Sequence, residues 1–215
     1  MIDRLSLVYS YYNQPEMLRR QCDLWRGYPD ELKTRTELII VDDCSEDPIV
    51  VPSVGIYAKK FRIEEDIPWN WDGARNLGMK YAYGWCLITD LDHMIDADQL
   101  RMLMGIDLDP THWYQLSRRT NARKIRSHCN TYLMHTDLYW QIGGYDEAIH
   151  YYDKDRWFRK RLRKYPSGGI LPVAMDAVLP SECSDASVKL ERTGRSRNPG
   201  NRKPLTFNFT WRELA

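Results

Sequence analysis

The sequence predicts an α/β domain with a mostly parallel central sheet that is flanked by helices. Short apolar segments alternate with segments of helical periodicity in the first half of the chain, which is typical of parallel strands joined by helical crossovers. Residues 38–41 form an uninterrupted apolar run that two aspartates follow, as expected for a strand covered on both faces. Hydrophobic residues make up 43% of the chain, which is enough to build a buried core.

The predicted elements follow one another in a regular order. A β-rich segment at 5–12 ends at Asn13-Gln14-Pro15, and apolar positions at helical spacing predict a helix from Pro15 that Gly27 and Pro29 terminate. The further predicted strands are 37–43, a short one within 56–63, 86–89, 113–117 and 131–134. The further predicted helices are 69–83, 97–104, 137–142 and 154–165.

Composition limits the classes of partner and compartment. The net charge of +1 gives no general reason to expect nucleic acid or an anionic membrane as the partner. No apolar segment approaches the ~18 residues that span a bilayer, and the first residues lack a signal-peptide pattern. The five cysteines are dispersed, which is typical of free thiols in a reducing compartment. We therefore expect a soluble cytoplasmic protein without a transmembrane segment.

Two aspartates follow the predicted strand 86–89, in the sequence Thr89-Asp90-Leu91-Asp92. Side chains two residues apart on a strand share a face, so Asp90 and Asp92 would point the same way if the strand geometry persists. Their repulsion raises their pKa values, and a hard cation such as Mg²⁺ or Mn²⁺ relieves it while binding diphosphate oxygens. The pattern indicates a metal site for a nucleotide diphosphate, and a solvated acidic turn is the alternative.

Asp42 and Asp43 occupy the corresponding position after the preceding apolar strand. Ligands of open α/β sheets bind beyond the carboxyl ends of the strands, so these two residues and the Asp90 group would face one crevice. An aspartate there accepts hydrogen bonds from a base or a ribose, and helix capping is the alternative. Arg75 lies in the first turn of the helix at 69–83, where it would contact a base or phosphate or else face solvent.

A third group of carboxylates, Asp153 and Asp155, follows the Gly143-Gly144 turn. A carboxylate that faces the metal site could accept a proton from an acceptor hydroxyl, and the acidic first turn of an amphipathic helix is the alternative.

Five segments, taken in order, resemble the family-2 glycosyltransferases of the GT-A fold. They are 8–14 (VYSYYNQ), 38–45 (LIIVDDCS), 73–78 (GARNLG), 89–92 (TDLD) and 143–147 (GGYDE). The resemblance covers about residues 5–163. It implies a GT-A domain at 1–183, with a nucleotide-binding half at about 1–95 and a smaller acceptor half at about 96–183. The rest, 184–215, is predicted to be a mobile basic loop and tail, since 184–204 is rich in Ser, Gly, Asn and Pro and carries six Lys or Arg.

The resemblance implies a metal-dependent transfer of a sugar from a nucleotide-diphosphate donor, such as a UDP- or GDP-linked sugar, to a glycan or other hydroxyl acceptor. The family's single displacement would invert the anomeric configuration. The implied cofactor is Mn²⁺ or Mg²⁺ on Asp90 and Asp92. Some members of the family add a late histidine ligand, but the histidines here all precede residue 151: His93, His112, His128, His135 and His150. Either water and phosphate or one of these histidines would then complete the metal shell, and for His93 the alternative is an exposed loop position. The implied nucleotide-binding residues are Tyr11, Asp42, Asp43, Arg75 and Asp90.

The catalytic base implied by the resemblance lies shortly after the Gly-Gly turn. Asp153 matches that position best and Asp155 is the second choice. Tyr152 stands where the family usually has Glu, and this departure leaves open a non-catalytic glycan- or nucleotide-binding module of the same fold.

Two other classes share part of the pattern. A receiver domain of a response regulator also has an acidic pair after an apolar strand, but it is much shorter than this chain and does not carry a segment such as 73–76 (GARN) between its acidic groups. A sugar nucleotidyltransferase usually opens with a Gly-rich, basic phosphate loop, and residues 8–20 contain none.

Overall fold

The computed structural model describes residues 1–120, 123–147, 155–179 and 207–215, and within them one ten-stranded sheet carries helices on both faces. The strands are β1 (Leu5–Tyr11), β2 (Thr36–Asp42), β3 (Tyr57–Ile63), β4 (Trp85–Thr89), β5 (His93–Met94), β6 (Trp113–Thr120), β7 (Arg123–Ile125), β8 (Tyr132–His135), β9 (Ser167–Ala177) and β10 (Trp211–Glu213). The helices are α1 (Pro15–Arg26), α2 (Asp30–Lys33), α3 (Trp71–Tyr81), α4 (Ala97–Gly105), α5 (Thr136–Ile142) and α6 (Asp155–Leu162).

Strands β3, β2, β1 and β4 lie side by side and run parallel, as the alternating pattern predicts. Every residue of β2 is buried, because helices cover both faces of this part of the sheet. Helix α3 lies so close to the sheet that a Cβ atom at Gly78 would be 2.6 Å from Cγ1 of Val8. The glycine of the GARNLG segment therefore allows the close packing that positions α3.

Two apolar cores, one on each face, fix the helices. Helices α1, α2 and α4 bury their apolar faces on one side, with Trp25 and Leu100 fully buried. Helices α3, α5 and α6 cover the other side, with Leu77 and Phe158 fully buried. The α/β prediction is confirmed.

The second half of the sheet is not uniformly parallel. Strand β8 runs antiparallel to both β4 and β6, while β9 runs parallel to β6 and antiparallel to β5. The sheet as a whole is therefore mixed, and the predicted parallel arrangement describes its β3–β2–β1–β4 part.

The long strand β9 was not predicted, because Gly168, Gly169 and Pro172 are residues that usually interrupt strands. The structure accommodates them at irregularities, since the β6–β9 register shifts between Trp113 and Tyr114 and again after Leu116. A Cβ atom at Gly168 would overlap the Tyr114 ring, at 1.8 Å from Cε1. These breakers therefore bend a strand that pairs along most of its length.

Other differences are short elements. The turn of α2 and the strands β5, β7 and β10 were not predicted. Of the basic stretch, residues 118–120 belong to β6 and residues 123–124 to β7. The basic segment predicted at 184–204, and the beginning of the helix predicted at 154–165, lie outside the described residues. No helix in the described ranges is both long and apolar enough to cross a membrane.

Candidate functional site

The strand-end acidic residues lie along one edge of the sheet. Tyr11 pairs with Asp42 at the ends of β1 and β2, and Tyr9 pairs with Thr89, the last residue of β4. Because these strands are parallel, their carboxyl ends carry Asp42, Asp43 and Asp90 to the same edge, as predicted.

Asp42 is fully buried and holds the loop that follows it. Its Oδ1 accepts a hydrogen bond from the backbone N–H of Ser45 at 2.9 Å, and its Oδ2 accepts one from Ile49 at 3.2 Å. Arg62 on β3 adds an ion pair at 2.7 Å. The carboxylate thus shapes the 43–49 loop from within.

Asp43 connects β2 to the beginning of α3. Its backbone N–H donates to the carbonyl of Tyr11 at 2.8 Å, and its Oδ1 accepts a hydrogen bond from Asn70 at 3.3 Å. Asn70 immediately precedes α3, so Asp43 ties two of the segments singled out in the sequence to each other.

A cleft of about 690 Å³ opens beside Tyr11 and the 43–49 loop. Its wall includes Tyr11, Asn13, Pro48 and Ile49, a mixture of one aromatic ring with polar and apolar groups. Burial, and then the charge of Asp42, raise the pKa of the Tyr11 phenol, which therefore stays protonated and can donate a hydrogen bond.

Arg75 is fully buried and does not face solvent. Its Nη2 donates to Oδ1 of Asp90, its Nη1 donates to the carbonyl of Asn130 at 3.0 Å, and its guanidinium lies 4.5 Å from the centre of the Trp71 ring. The side chain therefore joins α3, the end of β4 and the loop before β8. A direct contact with a nucleotide remains a prediction.

Asp90 and Asp92 have different environments although they lie two residues apart. Burial would raise the pKa of the Asp90 carboxyl, but Arg75 and His128 outweigh it and hold that pKa well below its usual range. Burial, and then the negative charge of Asp90, raise the pKa of Asp92 to about 6. The Oδ1 atom of Asp92 is buried without a hydrogen-bond partner among the described residues.

His93 is buried rather than exposed, and its ring is held from both sides. Nδ1 lies 3.2 Å from the hydroxyls of both Thr89 and Thr131, and Nε2 lies 3.3 Å from Nη1 of Arg118. A guanidinium can only donate, so Nε2 is the acceptor and Nδ1 carries the proton. Burial is the main cause that lowers the pKa of His93 to about 3, which keeps the ring neutral.

His128 completes the cluster from the loop between β7 and β8. Its Nδ1 lies 3.1 Å from Oδ2 of Asp90, and its ring centre lies 4.8 Å from that of His93. Donor atoms of Asp90, His93 and His128 all lie within 4.8 Å of one another. In the sequence, His128 is only one of five candidate histidines. The residues around it give no sign that its loop reaches the end of β4.

The donor set fits a divalent cation. Carboxylate oxygens suit both Mn²⁺ and Mg²⁺. Mn²⁺, the softer of the two cations, also accepts imidazole nitrogen as a ligand. The unpartnered Oδ1 of Asp92 is an acceptor that a cation would satisfy. His93 is the weaker candidate ligand, because Arg118 already occupies its acceptor nitrogen.

A buried glutamine supports the turn that carries these residues. Nε2 of Gln21 on α1 donates to the carbonyls of Leu91 at 2.7 Å and His93 at 3.0 Å. The signal in the sequence is its position: Gln21 falls within the apolar stripe of α1 between Met17 and Trp25, where an amide needs buried partners.

Of the two candidate bases, the structure describes one. Asp155 is the first residue of α6, is buried, and forms an ion pair at 2.9 Å with Arg159 one turn later. Asp153 lies outside the described residues.

The family model described as glycosyl transferase family 2 matches residues 6–159. No protein of curated function matches the sequence. The match includes all five segments that carry the resemblance, together with His93 and His128.

Solved structures that resemble this chain are glycosyltransferases of the GT-A fold. TarS of S. aureus shares 18% identity at a TM-score of 0.64, and the alignment covers 83% of this chain and 37% of TarS. A mannosyltransferase of Pyrobaculum calidifontis, in complex with GDP-Man and Mn²⁺, shares 16% identity at a TM-score of 0.58, over 82% of this chain and 57% of that one. GalNAc-T7, with UDP, GalNAc and Mn²⁺, shares 13% identity at a TM-score of 0.60, over 82% and 43%. At these identities the likeness shows the fold, and the chain spans well under two thirds of each relative.

Proposed function

Because the chain belongs to glycosyl transferase family 2, we propose that it is a metal-dependent enzyme that transfers a sugar from a nucleotide-diphosphate donor to an acceptor hydroxyl. The observation that carries the proposal is the cluster of Asp90, His93 and His128 at the carboxyl end of β4, beside which Asp92 keeps a buried oxygen without a hydrogen-bond partner among the described residues. Such an oxygen is costly unless a ligand or cation satisfies it.

The cation would be Mn²⁺ or Mg²⁺, held by Asp92 and His128 with Asp90 beside them. When bound, it would neutralise charge on the diphosphate leaving group. Mn²⁺ accompanies the nucleotide or nucleotide sugar in two of the similar structures, which supports this assignment without identifying the ion here. Asp90 is the less available of the carboxylates because Arg75 already binds its Oδ1.

The nucleoside would bind in the cleft beside Tyr11. The Tyr11 ring offers a stacking surface and a hydroxyl donor, and Asp43 offers a carboxylate at the same edge. Asp42 acts by shaping the loop, since both of its oxygens are engaged by Ser45, Ile49 and Arg62. Arg75 acts by orienting Asp90, and any contact with phosphate would be additional. UDP, GDP-Man and UDP-GlcNAc occupy similar structures, which supports a uridine or guanosine nucleotide here without choosing between them.

Transfer requires a base opposite the leaving group. A carboxylate at Asp153, or at Asp155 in its absence, would take the proton of the acceptor hydroxyl as the new bond to the anomeric carbon forms and the bond to the diphosphate breaks. Attack from the face opposite the diphosphate would invert the anomeric configuration. The ion pair of Asp155 with Arg159 favours Asp153 for this role.

The experiment that tests the function is a panel of UDP- and GDP-linked sugars titrated calorimetrically, with and without Mn²⁺. We expect one donor to bind in a Mn²⁺-dependent manner, and release of its nucleotide diphosphate in the presence of a hydroxyl acceptor. Asp153→Asn should keep donor binding and lose transfer, whereas Asp155→Asn should keep both. The absence of Mn²⁺-dependent binding for every nucleotide diphosphate would contradict the proposal.

We further propose that the protein works in a reducing compartment such as the cytoplasm. No disulfide joins the four cysteines within the described ranges, and two of them, Cys22 and Cys86, are buried. Burial raises the pKa of both thiols, which makes them inert rather than reactive.

A further inference from the structure

A large groove lies between the β6–β7 hairpin and β9. It has a volume of about 1290 Å³ and is open to solvent. Ile170 and Pro172 provide apolar surface along β9, and Ile170 is 58% exposed. The opposite wall is the segment Arg123 to Ser127.

The charged residues that line the described part of this groove are all basic. Arg123, Lys124 and Arg126 are exposed and line it, and none of them forms an ion pair with another described residue. The described lining contains no acidic residue. The cleft beside Tyr11 differs, because its wall combines Arg19 and Arg26 with Glu46 and Asp47. The positive charge is therefore local, in a chain whose net charge is only +1.

The wall of the groove is continuous in sequence with the candidate metal centre. Strand β8 is antiparallel to both β4 and β6, so the carboxyl ends of β4 and β6 lie at the same edge of the sheet. Ser127 lines the groove, and the next residue, His128, lies 3.1 Å from Asp90. Arg118, which pairs with Ile125 of the hairpin, contacts His93. A chain held in the groove would thus have one end beside Asp90 and Asp92.

We propose that this groove binds an anionic glycan, a chain of sugar units bearing carboxylate or phosphate groups, as the acceptor of the transfer reaction. This inference rests on the proposed function. Cations spaced along an open groove attract repeated negative charges, and the apolar surface of Ile170 and Pro172 suits the C–H faces of sugar rings. A hydroxyl at the end of such a chain would lie on the side of the metal centre away from the Tyr11 cleft.

The test compares charge variants of the full chain in the presence of Mn²⁺ and UDP or GDP. The groove variant carries Arg123→Gln, Lys124→Gln and Arg126→Gln. The matched control carries Lys160→Gln, Arg163→Gln and Lys164→Gln, which removes the same charge from an exposed surface at the end of α6. The probes are an oligogalacturonate, a phosphorylated oligosaccharide and a neutral malto-oligosaccharide of equal length, with a single-stranded oligonucleotide as the competing polyanion. Binding is measured by calorimetry at two salt concentrations.

We expect the parent protein to bind one charged oligosaccharide about tenfold more tightly than the neutral one, and the preferred probe distinguishes carboxylate from phosphate. The groove variant should lose that preference, the control should keep it, and added salt should weaken it. The inference would be overturned if the neutral probe bound equally well, or if the control lost the preference to the same extent as the groove variant. It would also be overturned if neither charged oligosaccharide bound, or if the oligonucleotide bound more tightly and in a groove-dependent manner. Nucleotide diphosphate binding should be unchanged in the groove variant. If the parent binds no nucleotide, the proposed function fails independently of the groove result.

Discussion

On the β1–β4 side of the sheet, Asp42, Asp43 and Asp90 lie at or directly after the ends of the strands that position them, whereas the residues that reach the site from the β6–β9 side are distant from them in sequence. Asp42 is the last residue of β2, and Asp90 comes immediately after β4. His128 reaches Asp90 from the connection between β7 and β8, and Arg118 reaches His93 from β6. The parallel pairing of β1, β2 and β4 is enough to position Asp42 and Asp90. The positions of His128 and Arg118 depend in addition on how β6, β7 and β8 pair in the mixed half of the sheet.

A second contrast lies within the carboxylates themselves. Asp42 is fully buried, and its two oxygens are satisfied by backbone N–H groups and Arg62. Asp92 has a buried oxygen without a described partner, and its pKa is raised to about 6. The first arrangement stabilises the fold, and the second is unfavourable until something binds. The following experiments test whether this difference separates structural residues from ligand-binding ones.

The largest effect is expected for Asp92→Asn. The substitution removes a charged oxygen ligand but preserves the size of the side chain, so Mn²⁺-dependent affinity for a nucleotide diphosphate should fall on the order of a hundredfold or more. Asp107→Asn is the matched control, because the Asp107 side chain is 99% exposed and distant from the cluster. Calorimetry with UDP and GDP at fixed Mn²⁺ measures the difference. Unchanged affinity in Asp92→Asn would show that Asp92 is not a metal ligand.

Arg75→Met should mainly reduce stability. The substitution leaves Asp90 without its cation and the carbonyl of Asn130 without a donor, which should lower the free energy of unfolding by about 2–3 kcal/mol after allowing for the partial exposure of Asp90. Urea unfolding measures the loss, and Arg101→Met, which removes exposed ion pairs only, should cost much less stability than Arg75→Met. The alternative role as a phosphate ligand makes a different prediction. It requires nucleotide affinity to fall about tenfold while stability is retained.

A smaller effect is expected for His128→Ala. If His128 is a metal ligand, its loss should reduce Mn²⁺ affinity about tenfold, because the carboxylates remain. His112→Ala is a matched control, since the two side chains are similarly exposed, at 28% and 31%, and each lies near one aspartate. Manganese paramagnetic relaxation of solvent water reports the affinity directly. Equal affinities for the two variants would assign His128 to the support of Asp90 alone.

The contrast also explains which parts of the molecule the sequence could predict. Strands β1, β2 and β4 are short, apolar and regularly spaced, so the sequence correctly placed Asp42, Asp43 and Asp90 at the same edge of the sheet. Strand β9 was not predicted because its pairing depends on irregularities at Gly168 and Pro172. Tertiary pairing decided that strand, not local propensity.

For the site, the residues missed are those whose partners are remote. Gln21 supports the 91–93 turn from α1, and His128 reaches Asp90 from another loop, so no local motif marks either residue. From the sequence, Arg75 was expected either to face solvent or to contact a base or phosphate. The structure instead buries it against Asp90, Asn130 and Trp71. An arginine near the start of a helix carries no indication of burial until the loop that covers it is known.

The smallest expected effect is a pH-dependent difference between the parent and Asp92→Asn in the presence of a chelator. The folded-state pKa of Asp92, about 6, lies above the ordinary aspartate value of about 3.9, so the folded protein holds this proton more tightly than the unfolded chain. That contribution to stability is complete below about pH 4 and is lost as the pH rises through about 6. The parent should therefore lose melting temperature relative to Asp92→Asn across this window and change no further above it. Glu147, whose pKa burial raises to about 7, contributes equally to both proteins and cancels in the difference. Saturating Mn²⁺ should reverse the order at neutral pH, because the cation stabilises only the protein that retains its ligand. A difference in melting temperature that is constant from pH 4 to pH 7 would mean that Asp92 is solvated like an ordinary surface carboxylate, and that the contrast with Asp42 does not mark the site.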